Sequence, residues 1–255
     1  MSGVSDEVAW ARLTAAEIQA RAGGETVAII PVASVEQHGP HLATGVDMWL
    51  AGEVAERTAR KLQAGGTRAL VLPVLWAGLA EHHMPFGGTV TLEREVFMGV
   101  LGGVARSVAR HGFRRIAIVN GHGGNVEAVA MAAIDLTASL GVPVVGLTYW
   151  LANADTFGAI LETQKNVQHA CEAETAMMMA VQPGGVRAEN IARAVPKRWK
   201  PSAPPGFRRQ RSFVELTDTG VIGDPRAATP EKGERLLQAA SGRLAEELGR
   251  AELWE

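Results

Sequence analysis

A disulfide scaffold is excluded, because the chain holds one cysteine, Cys171, and an intrachain bridge needs two. No apolar stretch approaches the roughly 20 residues that a membrane helix needs, so no membrane partner is expected. The opening MSGVSDEVAW lacks a basic region followed by an apolar run, which reads as no signal peptide. These absences point to a cytoplasmic protein. Charge of one sign is also missing: 25 Lys and Arg face 27 Asp and Glu, a formal net charge of -2. The densest basic stretch is Lys197, Arg198 and Lys200 with Arg208, Arg209 and Arg211. It is too local to imply nucleic acid as a partner and reads as a solvated loop. No internal repeat and no low-complexity tract is found.

The remaining composition is that of a globular chain. Its 255 residues, 47% hydrophobic and 20% charged, suffice to bury a sizeable core. Short β-rich runs alternate with longer helical patterns. Strands are expected over 26–34, 68–75, 115–120 and 142–149. Helices are expected over 48–62, 93–111, 125–140, 172–181 and 231–250, with Gly112 and Gly141 as stops. This β-α-β-α rhythm predicts an α/β fold with a mostly parallel sheet covered on both faces. Residues 186–224, rich in Pro, Arg and Gly, read as an excursion that caps a pocket or contacts a neighbouring subunit.

Residues with ligand chemistry follow several strand-like runs, and open α/β sheets bind ligands beyond the carboxyl ends of their strands. The first cluster is Glu36-Gln37-His38-Gly39-Pro40-His41. In extended chain, residues two apart face one side, so Glu36 and His38 can share a pocket; a polar loop also accounts for them. Asp47 follows as a helix N-cap or a ligand. The second cluster, Asn120-Gly121-His122-Gly123-Gly124-Asn125, lets backbone approach a ligand closely. It lacks both the P-loop and the GxGxxG spacing, and an ordinary strand-to-helix turn is the plain alternative. The third is His169-Ala170-Cys171-Glu172-Ala173-Glu174-Thr175. Helical spacing puts Glu172 and Glu174 on different faces, so only one should point inward, towards a metal or an arginine. Cys171 is a soft ligand, a nucleophile or a small buried filler. The fourth segment, 81–89, reads as a pocket wall or a polar loop; adjacent His82 and His83 splay apart and do not easily share one ion.

Six of the seven histidines, all but His111, lie in these four segments. Carboxylates mixed with imidazoles suit zinc, manganese or iron. Two ions sharing one carboxylate is an arrangement suited to hydrolysis.

Five stretches, in order along nearly the whole chain, resemble the creatininase family of creatinine amidohydrolase-like proteins. They are PVASVEQHGPHLATGVD (31–47), EHHMPFGGTVTL (81–92), VNGHGGN (119–125), HACEAET (169–175) and TGVIGDPRAATPEKG (219–233). The resemblance implies a single domain over 1–255 with a three-layer α/β/α sandwich, two divalent metal ions and a homohexamer. Zn2+ is expected first, with Mn2+ or Fe2+ as substitutes. It implies that Glu36 and His122 hold one ion, His38 the other, Asp47 bridges them, and Glu174 supplies the last carboxylate. His169 would serve as proton shuttle or oxyanion partner, with Glu172 a second acid/base candidate. Trp76, Glu81, His82, Gly123, Gly124 and Trp150 would line the substrate pocket. The implied activity is cleavage of an amide C–N bond of a small substrate by a metal-activated hydroxide. Two alternatives are a lactone or C–C hydrolase acting on a cyclic ketone, and a non-catalytic metal-stabilised binding protein. The sequence departs from creatininase itself at Gly124, where that enzyme carries a glutamate ligand. The HGGN pattern is closer to relatives acting on formamides, peptide-like or other small cyclic compounds. Cys171 replaces the glycine more usual after His-Ala.

Overall fold

Every residue of the run VAIIPV is buried, as in a strand covered on both faces. Its side chains divide by parity. Val27 and Ile29 enter one apolar core, Ala28, Ile30 and Val32 the other. This computed structural model describes residues 6–200, 207 and 209–255, so Arg208 of the basic run lies outside the described residues.

The sheet has strands β1 (Val27–Val32), β2 (Ala69–Val71), β3 (Arg115–Asn120) and β4 (Val144–Thr148). All pairs are parallel, in the order β2-β1-β3-β4. The helices among the described residues are α1 (Ala15–Gln19), α2 (Val46–Ala64), α3 (Arg94–Arg110), α4 (Val126–Leu140), α5 (Ala154–Ile160), α6 (Glu172–Val181), α7 (Ile191–Ala194), α8 (Phe213–Leu216) and α9 (Pro230–Leu248). Helices α2, α6 and α9 cover one face of the sheet, α3 and α4 the other. The result is the expected three-layer α/β/α sandwich. No helix among the described residues is long and apolar enough to cross a membrane.

The differences from expectation are local. β2 ends at Val71 rather than 75, because Pro73 has no N–H for the ladder; one bridge, Val32 to Leu75, continues the pairing. β4 begins only after Pro143. Helix α2 starts two residues early, with Gly45 as N-cap, so Asp47 lies inside the first turn and is not the cap. Helices α1, α5, α7 and α8 are too short to show a helical period.

This topology positions the chemistry. The chain leaves β1 outward to β2 and then returns to β3 on the other side of β1. The carboxyl ends of β1 and β3 therefore meet at a switch point, with Val32 opposite Asn120, where open sheets leave a crevice. Helix α6 is held to this end by α9. An added Cβ at Gly233 would lie 1.9 Å from the Ala176 carbonyl oxygen, so only glycine allows the two helices to approach this closely. Gly233→Ala is expected to lower stability by about 3 kcal/mol, as overpacking does, read from the urea midpoint at constant m. An unchanged midpoint would dismiss the close approach.

Candidate metal centre

Four segments converge at the switch point. The loop after β1 brings Glu36 and His38, the first turn of α2 brings Asp47, the end of β3 brings His122, and α6 brings Glu174. Each is at most 5% exposed. His122 Nδ1 lies 2.9 Å from Glu36 Oε2 and 3.0 Å from Asp47 Oδ2. His38 Nε2 lies 3.2 Å from Asp47 Oδ1 and 4.0 Å from Glu174 Oε2. Asp47 thus faces one histidine with each oxygen. His169 Nδ1 stands 3.6 Å from Glu36 Oε1.

The second nitrogen of each ring decides what these contacts are. His38 Nδ1 donates to the Glu36 carbonyl (3.1 Å), His122 Nε2 to the Leu79 carbonyl (3.2 Å) and His169 Nε2 to the Gln37 carbonyl (2.8 Å). A carbonyl only accepts, so the proton of each neutral ring sits on that nitrogen. The other nitrogen then presents a lone pair to carboxylate oxygens that are themselves lone pairs. Accordingly, Glu36 Oε2, His38 Nε2 and Asp47 Oδ2 are buried without a hydrogen-bond partner. Buried acceptors facing one another are costly unless a cation lies between them. Glu36, Asp47 and His122 form one triad whose ligand atoms lie within 4.8 Å of one another; His38, His169 and Glu174 form another. The donor set fits divalent zinc, manganese or iron.

Without such a cation the cluster gathers protons. Burial pushes His38 down, but Asp47, then Glu174 and Glu36, outweigh it and raise the imidazole to about 9. Burial raises the Glu174 carboxyl to about 7; His38 opposes this and Asp47 adds to it. Outside the cluster, burial dominates: His82 falls to about 4, and His169 falls well below the usual imidazole range. Both rings are neutral at pH 7. Burial, with the nearby Glu174, also pushes the Cys171 thiol up to about 12, so Cys171 is an inert filler rather than a nucleophile.

Comparison with known proteins agrees with this geometry. The creatininase family model (creatinine amidohydrolase) matches residues 11–248. The chain belongs to the creatininase family. It is 32% identical over 216 residues to the mycofactocin precursor peptide peptidase of Mycobacterium tuberculosis (strain CDC 1551 / Oshkosh), covering 83% of this chain and 80% of that protein. It is 28% identical to the creatinine amidohydrolase of Pseudomonas putida, over 95% of this chain and 96% of that one. A solved creatininase structure superposes with a TM-score of 0.81 at 28% identity, over 96% and 98% of the two chains. Solved creatininase forms described as Mn and as Zn–Zn superpose with TM-scores of 0.79 and 0.77 at 27% and 28% identity, covering 94% and 95% of this chain and 97% of each of theirs. The chain is therefore an enzyme of a hydrolase family, with a site suited to divalent metal.

Against the creatininase pattern, Gly124 has a steric reason. An added Cβ there would lie 2.2 Å from the Leu79 carbonyl oxygen and 2.4 Å from His122 Nε2. No carboxylate can project from that position, and the third carboxylate of the cluster comes from α6 instead. His82, Gly123, Gly124 and Trp150 line a cavity of about 460 Å³ that has Glu36, Asp47, His122, His169 and Glu174 among its walls. Trp76 and Glu81, expected in the same walls, do not line it. Both are exposed; at 81–86 a 3-10 helix turns His83 inward and Glu81 out.

Glu172 is also placed elsewhere. Its carboxylate accepts from the Glu162 and Thr163 N–H groups and the Thr163 hydroxyl, and it pairs with buried Lys232. Burial alone would raise this carboxyl, but Lys232 and Thr163 hold it low. Glu172 does not line the cavity, and its lone pairs are occupied, so the acid/base role expected for it gives way to a structural ion pair. Conversely, His83 lies 3.2 Å from Glu36 Oε1 through Nε2. The Gln37 amide donates to His83 Nδ1 and to the Gly220 carbonyl, which keeps the His83 proton on the nitrogen facing Glu36. The histidine pair was the available signal, but adjacency hid that one ring turns inward. Lys200, Arg209, Arg211 and Phe213 also line the cavity, so part of the basic run is a wall rather than a solvated loop.

Protons and metal compete for this cluster, because ligands bind only when deprotonated. His38, raised to about 9, and Glu174, raised to about 7, carry protons at neutral pH that a cation must displace. Apparent Zn2+ affinity is therefore expected to fall as pH drops from 8 to 6, by about tenfold per unit for each proton displaced. Chelator competition measures the affinity, and titration calorimetry in two buffers counts the protons. An affinity independent of pH across that window would rule out this ligand set.

Proposed function

We propose that the chain is a dinuclear metal-dependent amidohydrolase that adds water across the C–N bond of a small amide, cyclic or open. The observation that carries this reading is the pair of buried triads Glu36–Asp47–His122 and His38–His169–Glu174, with one Asp47 oxygen facing His122 and the other facing His38, at one cavity. Glu36, His122 and Asp47 would hold one ion; His38, Glu174 and Asp47 would hold the second. Zn2+ is the first expectation and Mn2+ or Fe2+ the substitutes. When bound, such ions supply Lewis acidity and a water more acidic than bulk.

The rest falls to side chains and backbone. His169 offers an unprotonated Nδ1 towards the cluster while its Nε2 is tied to the Gln37 carbonyl. It is suited to take a proton from the attacking water and return it to the departing nitrogen. The N–H groups of Gly123 and Gly124 border the cavity and can donate to the oxygen of a tetrahedral intermediate. Trp150 and Phe213 line it with ring surface, which limits water and strengthens each polar contact. Creatinine itself is disfavoured, because the creatininase glutamate is replaced by Gly124. The reading includes a cytoplasmic homo-oligomer, hexameric by family resemblance.

The test is a screen of small amides with Zn- and Mn-loaded protein. Hydrolysis should appear, and a chelator should abolish it. Glu36→Gln, His38→Ala and Asp47→Asn should each cost more than the roughly 10–100-fold typical of residues one step removed from a metal, with an unchanged circular dichroism spectrum. Tight metal binding without hydrolysis of any amide would favour a binding protein instead.

A further inference from the structure

We propose that the cavity wall formed by Lys200, Arg209 and Arg211 is a subsite for an anionic group, so that the substrate is an amide that also carries a carboxylate or a phosphate. This rests on the amidohydrolase reading of the same cavity.

Three cationic side chains line one cavity in a chain of formal net charge -2. Elsewhere the arginines near acids are paired: Arg57 with Glu53 and Glu234, Arg226 with Asp224, Arg250 with Glu246. Among the described residues, the side chains of Lys200, Arg209 and Arg211 make no hydrogen bond or ion pair. Nor do they neutralise the metal cluster, whose carboxylates meet histidines instead. Arg211 carries the sharpest sign of a missing partner. Its Nε is buried without an acceptor, and so is the neighbouring Ser212 Oγ. Buried donors left unmet are rare and costly. A ligand oxygen in the cavity would meet the Arg211 guanidinium, which pairs with carboxylate or phosphate through two parallel hydrogen bonds.

The local chain explains why two arginines act together. Residues 209–212 lie outside any helix, and Arg209 and Arg211 both line the cavity. Trp199, Phe213 and Leu216 stand beside the cations in the cavity lining. Their apolar surface lowers the local dielectric and strengthens an ion pair formed there. The cavity of about 460 Å³ admits a small two-ended molecule. Its amide would lie at the carboxylate–histidine cluster and its anion at the basic wall.

The test compares three substrates with the metal-loaded full chain: N-acetylphenylalanine, its neutral carboxamide, and its phosphonate counterpart, each followed by acetate release. The expected result is a kcat/KM about tenfold or more higher for an anionic substrate than for the carboxamide, carried by KM. The preferred anion names the source, carboxylate or phosphate. Arg211→Gln and Arg209→Gln should collapse that ratio towards one, while Arg243→Gln on the outer side of α9 keeps it. Calorimetric binding of the same anionic compounds provides a second readout. If no amide is hydrolysed but anions bind and Arg211→Gln weakens them, the hydrolase reading fails and the subsite stands. Equal kcat/KM for charged and neutral substrates, with binding unaffected by Arg211→Gln, overturns the proposal. So does an Arg211→Gln variant that breaks up an oligomer and keeps the ratio, since the cations then serve a subunit contact.

Discussion

Buried imidazole nitrogens and carboxylate oxygens facing one another, which only a metal cation or captured protons can reconcile, set the terms for this structure. Glu36, Asp47 and Glu174 bring three carboxylates into a space closed to solvent, where each charge would be costly alone. The fold does not relieve this with arginines or lysines. It surrounds the carboxylates with imidazoles and turns the lone pairs of His38, His122 and His169 inward by tying the other nitrogen of each to a backbone carbonyl. The carbonyls of Glu36, Leu79 and Gln37 thus determine the tautomers, and the tautomers make the cluster a receptor for cations. Metal affinity is, in this sense, written into backbone geometry one bond away from the ligands.

That geometry depends on helix placement as much as on the sheet. Glu172 and Glu174 are two positions apart, about 200° around a helix, so α6 presents them to opposite sides. Glu172 turns to Lys232 at the start of α9, and Glu174 turns to His38. The ion pair and the glycine at 233 fix the rotation of α6 about its axis. Rotation about the axis would break the buried pair of Glu172 with Lys232 and leave that ammonium to Glu162 and the Ala227 carbonyl. The buried ion pair therefore specifies which glutamate reaches the cluster, a registering role more than a stabilising one.

The sheet and the motif-bearing loops were legible because their signals are local. A period of two tells which residues of a strand enter each core, and glycine next to histidine after a strand marks a close approach at the sheet end. The reading reached its limit where the deciding partner is remote. Whether Glu172 or Glu174 points inward depends on Lys232, some 60 positions later. His83 was passed over because adjacent side chains diverge in extended chain, whereas the 3-10 turn at 81–86 buries one ring and leaves Glu81 in solvent. The same turn leaves Glu81 out of the cavity. The basic run looks solvated because composition reports charge, and only the placement of Lys200, Arg209 and Arg211 shows that they border a cavity.

Division of labour follows from this. Ligands on the sheet ends and on α2 and α6 are held by packed elements, so the reacting end of the cavity is rigid. Lys200, Arg209 and Arg211 line the cavity from non-helical chain outside both cores, where residues can change with less disturbance. Gly124 belongs to the first part: the Leu79 carbonyl and the His122 ring fill the space a side chain would need, and the third carboxylate of the cluster is Glu174 of α6. Arg209 and Arg211 belong to the second. The cluster carboxylates Glu36, Asp47 and Glu174 line the same cavity as Lys200, Arg209 and Arg211, yet they meet histidines and form no ion pair with those three cations. Had they been close enough to pair, each would have cancelled the other, and neither a cation nor an anion would be drawn in. Keeping them apart is what allows one small cavity to attract charge of both signs.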